Sequence, residues 1–228
     1  ACAACRFTVE VGDSAFNFED LPATRDEVDG LATQISEASV LVDSDFTPEA
    51  FAERLGSYNL IHLATHGMFV SGDPDASFLL FGNGQSVNLR QIRRQWQQME
   101  ADLIDLSACE TALGSAELGN GIEVLGRGFQ MQRVGAKAAI ASLWQVSDRG
   151  TEVLMTAFYA ALNQGMTKAD ALRQAQLTLI NRSDGPGATG DRGIGVVGDS
   201  TPASGTTRAV GYSHPYYWAP FILIGNGL

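Results

Sequence analysis

Residues 101–108 read ADLIDLSA and residues 136–144 read AKAAIASLW. Both runs are apolar almost throughout, and a strand without polar alternation is one covered on both faces, as in the centre of a parallel sheet. A third run, LIHLATHG at 60–67, has the same form, and segments of helical period separate the three. That alternation is the mark of an α/β fold. Working outward, strands are predicted near 6–11, 38–43, 58–65, 77–82, 101–108, 136–144 and 217–224. Thr24 with Glu27 three residues on predicts a capping box opening a helix of roughly a dozen residues. Thr47 followed by Pro48 opens another. Segment 88–98 reads as a short polar helix, and 120–134, 149–164 and 167–180 carry longer helical patterns, the last opened by Thr167. From Ser183 to Ser213, Gly, Ser, Thr, Pro and Asp prevail without periodicity, which predicts a long loop of functional weight inside a single domain spanning 1–228.

The chain has 228 residues, 45% hydrophobic and 18% charged, with 15 Lys and Arg against 26 Asp and Glu, a formal net charge of -11. That size supports a core without staples, and the apolar fraction excludes disorder as a whole. The acidic balance argues against a nucleic-acid groove, which needs clustered Lys and Arg. Three cysteines are too few for a disulfide scaffold and point to a reducing, cytoplasmic setting. No apolar window approaches the ~18 residues of a membrane span, and the N-terminus lacks the pattern of a signal peptide. The chain starts at Ala1 without Met, as a piece of a longer polypeptide does.

Two strands end in reactive side chains beside small residues: LIHLATHG at His66 and Gly67, and LIDLSACET (103–111) at Cys109. Functional groups of parallel α/β sheets gather at the carboxyl ends of strands, so these two meet if the strands are neighbours. A thiolate is a strong nucleophile, and an imidazole beside it lowers its pKa and returns a proton to a leaving amine. The backbone amides of Gly67 and Cys109 are candidates for an oxyanion hole. Asp148 and then Asp105 are candidates for a carboxylate receiving a basic substrate side chain. Asp148 alternatively caps the helix that follows it. Trp144 walls such a pocket or fills the core, and Glu110 orients substrate or caps a helix. His62 reads as a core or supporting histidine: on a strand it lacks the helical closeness to His66, and no H-E-x-x-H is present. Cys2 and Cys5 form a lone C-x-x-C without a second ligand pair, so no metal is predicted. The run Gly193 to Gly198 fits G-x-G-x-x-G but lacks the strand before and helix after that a dinucleotide site needs, and no cofactor is predicted.

The ordered set VGDSAF (11–16), LPATRDEV (21–28), HLATHG (62–67), LSACETALG (106–114), ASLWQVSD (141–148) and HPYYWAPFILIG (214–225) resembles the CHAT family, caspase-like domains associated with tetratricopeptide repeats in bacteria. The resemblance covers nearly the whole chain. It implies a caspase- and separase-like α/β fold, a mostly parallel sheet with helices on both faces, and a cysteine endopeptidase dyad carried onto His66 and Cys109. It implies a protein or peptide substrate and an upstream tetratricopeptide-repeat or other regulatory domain. It also implies that 183–213 is an autoprocessing or gating loop, cut near Arg182, Arg192 or Arg208. Two other readings of the same residues are an inactive caspase-like scaffold that signals by binding partners, and a Cys-dependent acyltransferase.

Overall fold

The apolar runs pair side by side, as strands with no polar face must. The structure is a computed structural model, and it describes residues 7–11, 14–70, 73–96, 99–107, 134–144, 146–182 and 211–228. In chain order the elements are β1 (Phe7–Val11), β2 (Ser14–Phe18), α1 (Ala23–Gln34), α2 (Pro48–Ala52), β3 (Leu60–His62), β4 (Gly67–Val70), β5 (Asp73–Leu80), β6 (Ser86–Asn88), α3 (Leu89–Gln95), β7 (Leu103–Leu106), β8 (Ala138–Ser142), α4 (Asp148–Asn163), α5 (Lys168–Ile180), α6 (Pro215–Trp218) and β9 (Phe221–Gly225). The central sheet has the order β3-β7-β8-β9. β3, β7 and β8 run parallel and β9 returns antiparallel to β8. The LIH and LIDL strands, whose adjacency the sequence left open, therefore share a ladder, with His62 opposite Asp105.

Side chains alternate between the two faces of this sheet. Ile61, Ile104, Leu106 and Ala139 join a cluster with Phe46, Phe51, Phe81 and Trp96. Leu103, Ala138 and Ile140 join another with Leu31 of α1, Phe158 and Tyr159 of α4, and Leu172 of α5. Thr47 caps α2 by accepting from the Ala50 amide, and Thr167 caps α5 by accepting from the Asp170 amide, as their spacing predicted.

The architecture is α/β, but its sheets are mixed. A three-stranded antiparallel sheet, β4-β5-β6, and the hairpin β1-β2 stand beside the central one. The single mostly parallel sheet expected from sequence is thus incomplete. β5 and β6 are joined by a tight turn in which Gly84 has φ 85°, and so short a connection permits only antiparallel pairing. Segment 38–43 forms no strand: Leu41 and Val42 pack against the core from an irregular segment leading into a 3-10 turn at Asp43–Asp45. The predicted strand 217–224 begins as α6, because Pro215 sits at its first position and His214 caps it by accepting from the Tyr216 amide. Strand pairing starts only at Phe221. The helix expected at 120–134 and most of the loop expected at 183–213 lie outside the described residues. The end of that loop is ordered, with Tyr212 buried against Tyr217 at 5.3 Å between ring centroids.

Candidate functional site

Strand β3 ends at His62, and five residues later β4 begins at Gly67. His66, at this junction, is 4% exposed. Its ring lies against Phe18 at 5.1 Å, and Nε2 is 2.6 Å from the carbonyl oxygen of Glu19. A carbonyl only accepts, so Nε2 carries the proton in this contact and the neutral ring keeps its lone pair on Nδ1. The Leu80 amide donates to the His66 carbonyl at 2.9 Å. By the alternation of an antiparallel ladder, the next residue, Gly67, points its amide away from β5.

The segment leading into α1 and the helix itself touch this region at three positions, each four residues after the last. Glu19 meets His66 through its carbonyl. The Ala23 amide donates to Asp148 Oδ2 at 2.7 Å. Glu27 reaches His62, with Oε1 2.9 Å from Nε2. Glu27 was expected in a capping box with Thr24, but helix α1 starts at Ala23 and carries no side-chain cap. Thr24 instead donates to the Leu21 carbonyl, and Glu27, 1% exposed, faces the core.

Asp148 does not cap α4. That role belongs to Ser147, which accepts from the Gly150 amide, and Asp148 is the first helical residue. Burial pushes its carboxyl up to about 6, aided by Glu27 and Glu152 and opposed by the Ala23 amide and by His66. Asp148 and His66 are thus electrostatic neighbours. Trp144 turns to α6, its Nε1 donating to the Tyr216 carbonyl at 3.3 Å. Cys109 and Glu110 lie outside the described residues; the last one described on that strand is Ser107.

Asp105, expected to face a substrate pocket, is fully buried and faces His62 instead, with Oδ2 2.9 Å from Nδ1. His62 is therefore held at both ring nitrogens by carboxylates from two different elements. The Glu27 oxygen approaches off the N–H direction, so that contact is an ion pair without an aligned hydrogen bond. Burial works against the imidazolium, but the charges of Asp105 and Glu27 overcome it and hold His62 up at about 10. The Tyr159 hydroxyl stands 3.4 Å from Nδ1, and burial beside the same carboxylates keeps it protonated. Ser107 Oγ lies 3.4 Å from Nε2.

Ser107, His62 and Asp105 resemble a Ser-His-Asp triad, and the resemblance fails chemically. An imidazolium has no lone pair with which to take the serine proton, Glu27 is nearer to Nε2 than Ser107 is, and Ser107 is 1% exposed. Sequence reasoning left Glu27 and Tyr159 out of the site and gave His62 only a supporting place. The signal was present: Glu27 falls on the buried stripe of α1 with Ala23, Thr24, Val28 and Leu31, and Asp105 interrupts an otherwise apolar central strand. A carboxylate in such a position must find a partner.

A family model described as CHAT domain matches residues 3–226. The chain belongs to the CHAT domain family. The family is caspase-like, in keeping with a protease-like fold and with the α/β architecture above. No curated protein matches the chain. Among the described residues, no helix is long and apolar enough to cross a membrane, and no group of three or more His, Cys, Asp or Glu side chains is placed to hold a metal ion.

Proposed function

We propose that this CHAT domain is a cysteine endopeptidase in which Cys109 is the nucleophile and His66 the general acid and base. The observation that carries the reading is the register of β3 on β7. His62 opposes Asp105 in a parallel ladder, and His66 and Cys109 each follow four residues later along the sequence. Cys109 comes two residues after Ser107, a length of chain of at most about 7 Å. In the proposed reaction His66 takes the Cys109 proton, the thiolate attacks the scissile carbonyl, and the leaving amine takes that proton from His66. Water then releases the acyl group. The Glu19 carbonyl fixes the His66 ring so that Nδ1 is the nitrogen that moves protons. The Gly67 amide, turned away from β5, and the Cys109 amide stabilise the oxyanion.

Asp148 is the carboxylate placed to favour a basic residue at the substrate position before the cut, since it stands near His66. In this reading the catalytic unit is the whole of 1–228, working in the reducing cytoplasm of a bacterium under the control of an upstream repeat domain. Incubating the chain with a peptide library of fixed residues before the cut tests both parts. Cleavage that vanishes in Cys109→Ala and in His66→Ala, and that favours Arg or Lys, is the expected result. Cleavage unchanged in Cys109→Ala overturns it.

A further inference from the structure

His62 and Asp105 are a register pair of β3 and β7, and each lies four residues ahead of a member of the proposed dyad. Asp105 is also opposed by Ile140 on its other side, so the surrounding ladder is apolar and the charged pair is a local exception. Stability alone does not favour such an exception. A buried ion pair is matched or exceeded by well-packed apolar residues of similar size. Asp105 Oδ1 is moreover buried without a hydrogen-bond partner, an uncompensated desolvation that an apolar residue would not carry. What charges provide here and apolar side chains do not is direction. Asp105 fixes Nδ1 of His62, Glu27 approaches Nε2, and the ring packs edge-on against Tyr159 at 5.6 Å. The groups facing His62 thus come from α1, β7 and α4, the same α1 and α4 that carry the Ala23–Asp148 contact beside His66.

We propose that Asp105 is a positioning residue for the His66–Cys109 dyad: with Glu27 it grips His62 from both ring nitrogens and so fixes β3 on β7 just ahead of the strand ends. This deepens the endopeptidase reading and rests on it. Keeping the hydrogen bond to Nδ1 without the carboxylate leaves the grip, and with it the dyad, in place. Removing the grip lets the strand ends shift, and the thiol returns toward its ordinary value of about 8.5.

The test is the pH dependence of alkylation by iodoacetamide in the folded full chain, read peptide by peptide by mass spectrometry, with Cys2 and Cys5 as internal references. In the wild type, Cys109 is expected to react with a midpoint below those of Cys2 and Cys5, and His66→Ala is expected to abolish the difference. Asp105→Asn, whose amide oxygen still accepts from Nδ1, should leave the midpoint where it is in the wild type. Asp105→Leu should move it up by about one unit or more. Should Asp105→Leu fail to fold, Glu27→Ala, which removes the other side of the grip, takes its place, with an upward shift expected. If His66→Ala abolishes the difference but the Asp105 and Glu27 variants leave the midpoint unmoved, the positioning role is overturned and the dyad stands. Equal downward shifts in Asp105→Asn and Asp105→Leu also overturn it, because charge then acts without position. A wild-type midpoint equal to those of Cys2 and Cys5 overturns both.

Discussion

Both faces of the central sheet are buried against apolar clusters, and one of them also holds charged side chains. Toward α2 and α3, the cluster around Phe46, Phe51, Phe81 and Trp96 is apolar, with Phe51 and Trp96 at 4.9 Å and Phe46 and Phe81 at 4.6 Å between centroids. Toward α1 and α4, the cluster that includes Leu103, Ile140 and Phe158 also holds Glu27, Asp105, the Tyr159 hydroxyl and the half-buried His62. Dispersion and water exclusion are non-directional, so the first face holds the sheet together without specifying an angle. Ion pairs and hydrogen bonds in a dry interior lose their value when misaligned, so the second face specifies angles at a cost in stability. The charged face is the one that carries the contacts to His66 and Asp148.

Four measurements break or sharpen this contrast. The largest effect belongs to the end of β3: His66→Ala is expected to lower peptide cleavage by the folded fraction by about 10²–10⁴-fold, the usual worth of a general acid and base. On the apolar face the expectation reverses. Trp96→Ala should cost about 3–5 kcal/mol in urea unfolding while the folded fraction keeps its kcat. If Trp96→Ala changes kcat and leaves stability intact, the division between the faces is wrong.

The third measurement is the pH dependence of stability. His62 is raised in the fold from 6.5 to about 10, so its contribution is fully present below pH 6.5 and is lost as pH rises through 10. Urea midpoints should fall across that window in the wild type and less so in His62→Gln. The smallest effect is expected at Asp148, whose carboxyl is raised from 3.8 to about 6. Here the fold disfavours the ionised form, so this group's contribution is best below pH 3.8 and declines as pH passes 6. Asp148→Asn, which keeps an acceptor for the Ala23 amide, should gain about 1 kcal/mol or less at pH 7 after allowing for solvent screening. Thermal melts at pH 4 and pH 7 compare the two, and a loss of stability at pH 7 would contradict the assignment of burial as the cause.

The strands with no polar alternation were legible because burial on both faces writes itself into every residue: ADLIDLSA and AKAAIASLW contain β7 and β8, and LIHLATHG contains β3. The caps at Thr47 and Thr167 were legible because a cap is settled within three residues. Segment 38–43 was misread because its apolar residues mark burial, and burial does not distinguish a strand from a loop packed by its side chains. Glu27 was misread because a local rule, the capping box, competed with a distant partner and lost. The helix begins at Ala23, so Thr24 lies inside it rather than at its cap, and Glu27 falls on the buried stripe where His62 is its partner.

By itself, then, the sequence determined the α/β class, the central strands, the family and the pair of residues to examine, all carried by composition and order along the chain. Only the tertiary structure decided that β3 and β7 are neighbours with His62 opposite Asp105. Only it showed Glu27 and Asp105 turned inward onto one histidine, and Asp148 tied to the start of α1. The physical reason is range. Hydrophobic burial and capping are properties of a residue and its near neighbours, whereas a buried charge is defined by the partner that the fold brings to it from far along the chain.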